Sequence, residues 1–228
     1  YTPQKHHEMT PARKIKSEVL TVMFIDIVNY TKTTSELSRD SFSQLHEAFD
    51  TLCIPTFKDY DGDVIQKIGD AFLITFRSAT NAVLCGMDLQ RRFIEYNKQM
   101  KPRKPLRIRV AIHTGEVIKR KNDIHGDAVN TTARIEGMTK SGDVVFSETV
   151  FHAMNKNEIP YKHIGLRKFK GVKRPVRLFR VRNGRDKVIA RQQYFNKIKR
   201  YVKLIIAFIV IFGVLFFLRS VLLKYLLR

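Results

Sequence analysis

Two aspartates, Asp26 and Asp70, each stand at the end of an apolar run, and an amide–guanidinium pair, Asn130 and Arg134, follows far downstream. Val19 to Ile25 leads into Asp26 and Ile27, and then into a polar turn, Asn29-Tyr30-Thr31. Val64 to Ile68 leads into Gly69-Asp70, and Ala71 to Phe76 departs as a second apolar run. Gly-Asp between two strand-like runs reads as a tight hairpin. A carboxylate at a strand end and one at a hairpin tip can converge. Two hard oxygen donors with open coordination positions suit Mg²⁺ shared with a phosphate-bearing substrate. Taken singly, either Asp also reads as an ordinary turn residue. Asn130 and Arg134 lie four apart where a polar loop becomes helical, so they project from one face. Together they offer a fork of donors for phosphate oxygens, although a solvated helix face looks the same.

The elements that must hold these groups follow from periodicity. Val19–Ile27 reads as a buried first strand. From Ser41 to Tyr60 the apolar residues Phe42, Leu45, Phe49, Leu52, Cys53 and Phe57 form a helical stripe, ended by Asp61-Gly62. Ser78 caps a second helix with Ala82, Val83, Cys85, Leu89 and Phe93 on its inner face. Leu106, Ile108, Val110 and Ile112 alternate with Arg107, Arg109 and Ala111, a period-two strand. The polar loop from Asp123 and the Asn130 helix follow. Val144–Phe146, a short helix near Thr149–Met154 and a last strand, Val176–Val181, complete the body. Helices alternating with mostly hairpin-linked strands predict an α+β sandwich.

Composition sets the bounds. The chain has 228 residues, 44% of them hydrophobic, enough for one domain with appendages and too apolar for wholesale disorder. Cys53 and Cys85 fall on apolar helix faces and read as core residues in a reducing compartment. The seven His form no zinc-like cluster. The formal charge of +21 is unevenly placed: residues 162–203 hold sixteen Lys or Arg against one acid, Asp186, whereas residues 1–161 are nearly balanced. The excess sits just ahead of Leu204–Leu218, a run with no polar side chain, which resumes after Arg219-Ser220 as Val221-Leu222-Leu223. About twenty such residues reach across a bilayer core of roughly 30 Å. The run is apolar on all sides, which excludes a surface-lying amphipathic helix. Lys197, Lys199, Arg200 and Lys203 place its amino side in the cytoplasm and attract anionic lipid. The expectation is a single-pass membrane protein with its body cytoplasmic. Residues 1–16 are polar and show no signal peptide, and the chain opens on Tyr1, which leaves room for sequence upstream.

Four fragments, in this order, resemble the catalytic domain of the class III nucleotidyl cyclases, the adenylate and guanylate cyclase family. They are Phe24-Ile25-Asp26-Ile27 with Thr31, Ile68-Gly69-Asp70-Ala71, Gly126-Asp127-Ala128-Val129-Asn130 with Ala133-Arg134, and Arg174-Pro175-Val176-Arg177-Leu178-Phe179-Arg180-Val181. The resemblance covers residues 18–182. With the charge and hydropathy pattern, it divides the chain into a polar segment (1–17), that domain, a basic linker (183–203), a transmembrane helix (204–223) and a short tail (224–228). It implies a fold related to the ferredoxin-like one and a head-to-tail dimer with a nucleoside triphosphate as substrate. It also implies two Mg²⁺ or Mn²⁺ held by Asp26, Asp70 and the carbonyl of Ile27. By the same resemblance Asn29, Tyr30 and Thr31 present backbone N–H groups to phosphate, Asn130 orients the ribose, and Arg134 stabilises charge at the α-phosphate. Lys170 stands where the family places a triphosphate-binding lysine. The family takes its Asp pair from one subunit and its Asn/Arg pair from the other, so one chain holding both implies a homodimer.

The base-reading positions depart from the pattern. Adenylate cyclases usually have Lys, and guanylate cyclases Glu, where this chain has Gln66, with Lys67 beside it. The partner position is Asp123, as in many adenylate cyclases. Asp123 can accept from an exocyclic amine on adenine or cytosine, and Gln66 both donates and accepts. ATP leads, with guanylate or pyrimidine cyclisation as alternatives. A membrane-tethered nucleic-acid-binding module is a further alternative, but the charge is juxtamembrane and lacks interleaved aromatic platforms, so no nucleic acid is expected. A degenerate, non-catalytic relative has no need of all four of Asp26, Asp70, Asn130 and Arg134.

Overall fold

The computed structural model describes residues 17–30, 38–102, 104–120, 123–184 and 186. Thr31 and the apolar run at 204–223 lie outside them. Among the described residues no helix is long and apolar enough to cross a membrane.

Strand β1 (Ser17–Ile27) leads to helix α1 (Arg39–Asp59), then to the hairpin of β2 (Asp63–Ile68) and β3 (Ala71–Phe76). Helix α2 (Ala79–Met100), strand β4 (Ile108–Arg120) and the short β5 (Asp123–His125) follow. Helix α3 (Asp127–Met138), β6 (Val144–Ser147), α4 (Glu148–Ala153), β7 (Tyr161–Arg167) and β8 (Val176–Val181) complete the order. One sheet runs β2-β3-β1-β4-β6-β8-β7, with β5 paired to β4. All neighbours are antiparallel except β4 and β6. The α+β architecture expected from the sequence is present.

Side-chain alternation on the strands divides the core. Met23, Ile25 and Ile27 of β1, with Ile108, Val110 and Ile112 of β4, face α1, α2 and α4 and bury Phe49, Phe57, Phe93 and Val150. The opposite face carries Leu20 and Val22 of β1 and Ala111 of β4, and α3 covers it with Ala128 and Ile135. Both cysteines are buried and free. Ser38 and Ser78 cap α1 and α2 by accepting from the N–H groups of Ser41 and Asn81.

Two strands were not legible in the sequence. In β7, Tyr-Lys-His-Ile-Gly-Leu-Arg hides its alternation behind Gly165, where the pairing register slips. β5 is three residues long and reads as polar loop until β4, running on to Arg120, offers it an edge.

Helix α3 enters at Gly126, whose φ is 139° and where an added Cβ would lie 3.0 Å from the Glu116 carbonyl oxygen. Only glycine lets the helix start this close to β4. We expect Gly126→Ala to destabilise the domain by about 1–3 kcal/mol, read as a lower urea midpoint with an unchanged m-value. An unchanged midpoint would mean that α3 is not held by this approach.

Candidate active site

Register builds the site. Asp26 faces Ala71 of β3 on one side and Arg109 of β4 on the other. The hairpin tip therefore sets Asp70, which precedes Ala71, beside Asp26. Ile27 N–H donates to the Asp70 carbonyl at 3.3 Å, and Val28 N–H to that of Arg107 at 2.8 Å, which fixes both neighbouring strands to the end of β1. Gly69, with φ 59°, makes the two-residue turn.

Asp26 and Arg109 are even and odd residues of antiparallel strands that share the α3 face. Asp26 is only 9% exposed. Its Oδ2 accepts from Arg109 Nε at 2.8 Å and also from Nη2. Glu136 descends from α3 until its Oε1 lies 2.5 Å from Arg109 Nε, without the alignment of a hydrogen bond. Three carboxylates thus converge on one guanidinium. Burial, then a hydrogen bond to Asp26 and that residue's charge, pushes Asp70 up to about 6. Burial pushes Glu136 up to about 7, opposed by Arg109 and reinforced by Asp26 and Asp70. Asp26 and Asp70, expected to converge, do so.

The turn after β1 places Asn29 at φ 61°, and Tyr30, with helical backbone, follows it. The Tyr30 side chain is committed to α1, its hydroxyl 2.8 Å from His46 Nε2, so its backbone is what remains for a ligand.

Asn130 and Arg134 are exposed, while Ala128, Thr131, Thr132 and Ile135 of the same helix are buried. At roughly 100° per residue, Glu136 lies about 200° around the axis from Arg134. The helix that sends Glu136 down to Arg109 therefore turns Asn130 and Arg134 away from the carboxylates of its own chain. Asn130 instead borders a cavity of about 410 Å³ with His113, Asp127, Thr131, Lys173 and Arg177. His113 Nδ1 lies 2.8 Å from Ser147 Oγ, and burial pushes its imidazole down to about 4. Lys170 is exposed one residue before the loop that forms this wall, and Lys173 is in the wall itself.

The base-reading candidates lie on elements that touch. Gln66, opposite Leu73, and Ile68, opposite Ala71, share the α3 face of β2. Lys67 points the other way and binds Asp50 at 2.6 Å. β5, which carries Asp123, lies against β2. Asp123 Oδ1 accepts from Ile124 N–H at 2.7 Å, and its Oδ2 is 3.3 Å from His125 Nε2. Gln66 is exposed and Asp123 half-buried.

Sequence reasoning missed Arg109, Glu136 and His113. An arginine on the polar side of an alternating strand was visible, but its partner depends on the β1–β4 register, which no local pattern reveals. Glu136 carried no signal.

The raised carboxylates make stability depend on pH. A group that holds its proton more tightly when folded than when unfolded adds stability that is lost as pH rises through the folded value. With chelator present, we expect the melting temperature to rise on acidification from about pH 7.5 to 5.5, a window that spans both folded values. Asp70→Asn should raise it at pH 7.5 and reduce its dependence on pH. A profile identical in the variant would show that Asp70 does not carry this energy.

Comparison with known proteins agrees with the geometry. The model of the adenylate and guanylate cyclase catalytic domain matches residues 13–183. A serine/threonine-protein kinase of Myxococcus xanthus is 34% identical over 169 residues, covering 74% of this chain and 20% of the kinase. A putative adenylate cyclase of Rhizobium meliloti is 25% identical over 72% of this chain and 28% of its own length. The chain thus spans between a fifth and a third of these curated relatives. The crystal structure of the adenylyl cyclase CyaB from P. aeruginosa shares the fold with a TM-score of 0.68 at 23% identity, over 75% of this chain and 97% of that one. With its paired aspartates, its α3 face and this match over three quarters of its length, the chain belongs to the adenylate and guanylate cyclase catalytic-domain family.

Proposed function

We propose that this chain is a membrane-anchored nucleotidyl cyclase that closes a nucleoside triphosphate, ATP foremost, into its 3′,5′-cyclic nucleotide with release of pyrophosphate. The observation that carries this reading is the Asp26–Asp70 pair, two neighbouring carboxylates whose mutual repulsion a divalent cation relieves. Asp26, Asp70 and the carbonyl of Ile27 are the groups that would hold two Mg²⁺ or Mn²⁺. Among the described residues no group of three or more His, Cys, Asp or Glu forms a protein-only metal cage. That suits Mg²⁺, which keeps water and substrate phosphate among its ligands. When bound, such ions lower the pKa of the 3′-hydroxyl and neutralise triphosphate charge.

The reaction joins the 3′-oxygen to the α-phosphorus as the bond to pyrophosphate breaks, and positioning with electrostatics supplies most of the acceleration. The chain's own groups divide that work. Arg109 is a fixed cation at the base of the carboxylate cluster, held by Asp26 and Glu136. Backbone N–H groups at Asn29 and Tyr30 would meet phosphate. Asn130 orients the ribose, Arg134 meets charge developing on the α-phosphoryl oxygens, and the Lys170–Arg174 loop receives the far phosphates. Because α3 turns Asn130 and Arg134 away from its own carboxylates, the complete site requires a second copy. A homodimer with two sites follows. The adenylate cyclases among the similar proteins support ATP, as does Asp123. The run at 204–223 supports the anchor.

Asp26→Ala or Asp70→Ala should each lower metal-dependent cyclic nucleotide formation by at least about a hundredfold. Mixing Asp26→Ala with Arg134→Ala chains should restore part of the activity, since each mixed dimer keeps one intact site. If exchanging subunits give no recovery, the shared interface is wrong.

For the base, kcat/KM is compared across ATP, GTP, CTP and UTP. Gln66→Glu should shift preference toward guanine and Gln66→Lys toward adenine, each by roughly tenfold to a hundredfold for one buried polar contact. Ratios left unchanged by both substitutions would exclude Gln66 as a base reader.

A further inference from the structure

The two outer strands of the sheet are charged differently. β2, at one edge, mixes Asp63 with Lys67. β7, at the other, begins a stretch, residues 159–185, with ten Lys or Arg and no carboxylate. Among the described residues Arg177 bridges to Glu148 at 3.0 Å and Arg180 to Asp143 at 3.2 Å. Lys162, Arg167, Lys168, Lys170, Lys173, Arg174 and Arg182 are exposed. Among them Leu166 stands 54% exposed. Charges on an edge strand discourage edge-to-edge pairing, but charge of either sign does that. It accounts neither for a single sign nor for an exposed leucine. The cavity beside Asn130 takes Lys173, Arg174 and Arg177 but leaves Lys162, Arg167 and Lys168 outside its wall.

We infer that the β7 edge is a docking surface for anionic lipid, with Lys162, Arg167 and Lys168 meeting headgroups and Leu166 reaching the interface. Register adds to the charge argument. Tyr161 pairs with Val181 and Lys162 with Arg180, so β7 begins where the chain leaves the sheet toward the linker and the apolar run. A surface on the same chain as a membrane anchor binds at a raised effective concentration, so a few charges suffice. Each basic residue near an anionic leaflet is worth about fivefold in partition. This inference takes its geometry from the membrane-anchor reading but nothing from the chemistry of the site.

The test uses the full chain carrying Leu166→Cys, labelled with an environment-sensitive fluorophore. Cys53 and Cys85 are buried, and burial pushes both thiols up, so position 166 takes the label. The chain is reconstituted into nanodiscs of phosphatidylcholine alone or with about 30% phosphatidylserine, with nitroxide-headgroup lipid as quencher. Docking predicts quenching in the phosphatidylserine discs at about 0.1 M salt. Most of it should be lost at about 0.5 M, where the screening length is about 4 Å. Quenching should fall at least tenfold in Lys162→Glu/Arg167→Glu/Lys168→Glu. The milder Gln triple, with an unchanged melting temperature, should show an intermediate loss. Equal quenching in both lipids, none in either, or full quenching in a folded Gln triple would overturn the inference. A chain that stays out of the discs instead refutes the anchor. Flotation of that soluble chain on phosphatidylserine vesicles, and not on phosphatidylcholine vesicles, then supports docking; no flotation on either overturns it.

Discussion

The β1 register is the constraint on which this molecule depends. β1 is the only described strand bonded to both β3 and β4, and Asp26 lies near its end between Ala71 and Arg109. A shift of one residue in either pairing would send Asp26 to the face packed by Phe49 and Phe93, where a carboxylate has no partner. The apolar residues that alternate with Asp26 hold the register: Met23, Ile25 and Ile27 are essentially inaccessible on the α1–α2 face. Hydrophobic burial on one side of β1 thus fixes an electrostatic cluster on the other.

That cluster is unfavourable in isolation. A guanidinium shared by Asp26 and Glu136, with Asp70 alongside, leaves more carboxylate than local cation, and two of the acids hold protons more tightly than usual. Such an excess is costly to bury and is kept where a ligand relieves it. Helix α3 joins this cluster to the rest of the proposed chemistry. Its inward side closes the sheet with Ala128, Thr131 and Ile135, Glu136 steadies Arg109, and its outward side presents Asn130 and Arg134. The helical repeat alone separates the two roles, and this separation is what the proposed two-chain site rests on.

Charge is partitioned on a larger scale as well. The helices on the α1–α2 face neutralise themselves, Arg91 and Arg92 bridging to Asp88, Asp59 and Glu95. In the β7–β8 region Arg177 bridges to Glu148 and Arg180 to Asp143, along a stretch that has no carboxylate of its own. Of the net +21, residues 162–203 carry +15, and part of that excess lies on the β7 edge.

The sequence by itself determined the elements whose signal is local. The hairpin around Gly69-Asp70, the capped α2, the alternating β4 and the last strand, β8, were all legible, because turn chemistry, capping and periodicity act within a few residues. That Asp26 and Asp70 could converge was legible because each lies at an apolar run's end, and the β1–β3 register is what sets them side by side. Tertiary structure decided what depends on register and on packing between distant segments. It alone brought Arg109 to Asp26, eighty-three residues away in sequence, and Glu136 to Arg109. It alone made a strand of β7 despite Gly165, by giving it β8 as a partner, and it set Lys173 in the cavity wall with Lys170 just before it. Strand pairing and helix rotation are collective properties of the core, and no window of the chain contains them.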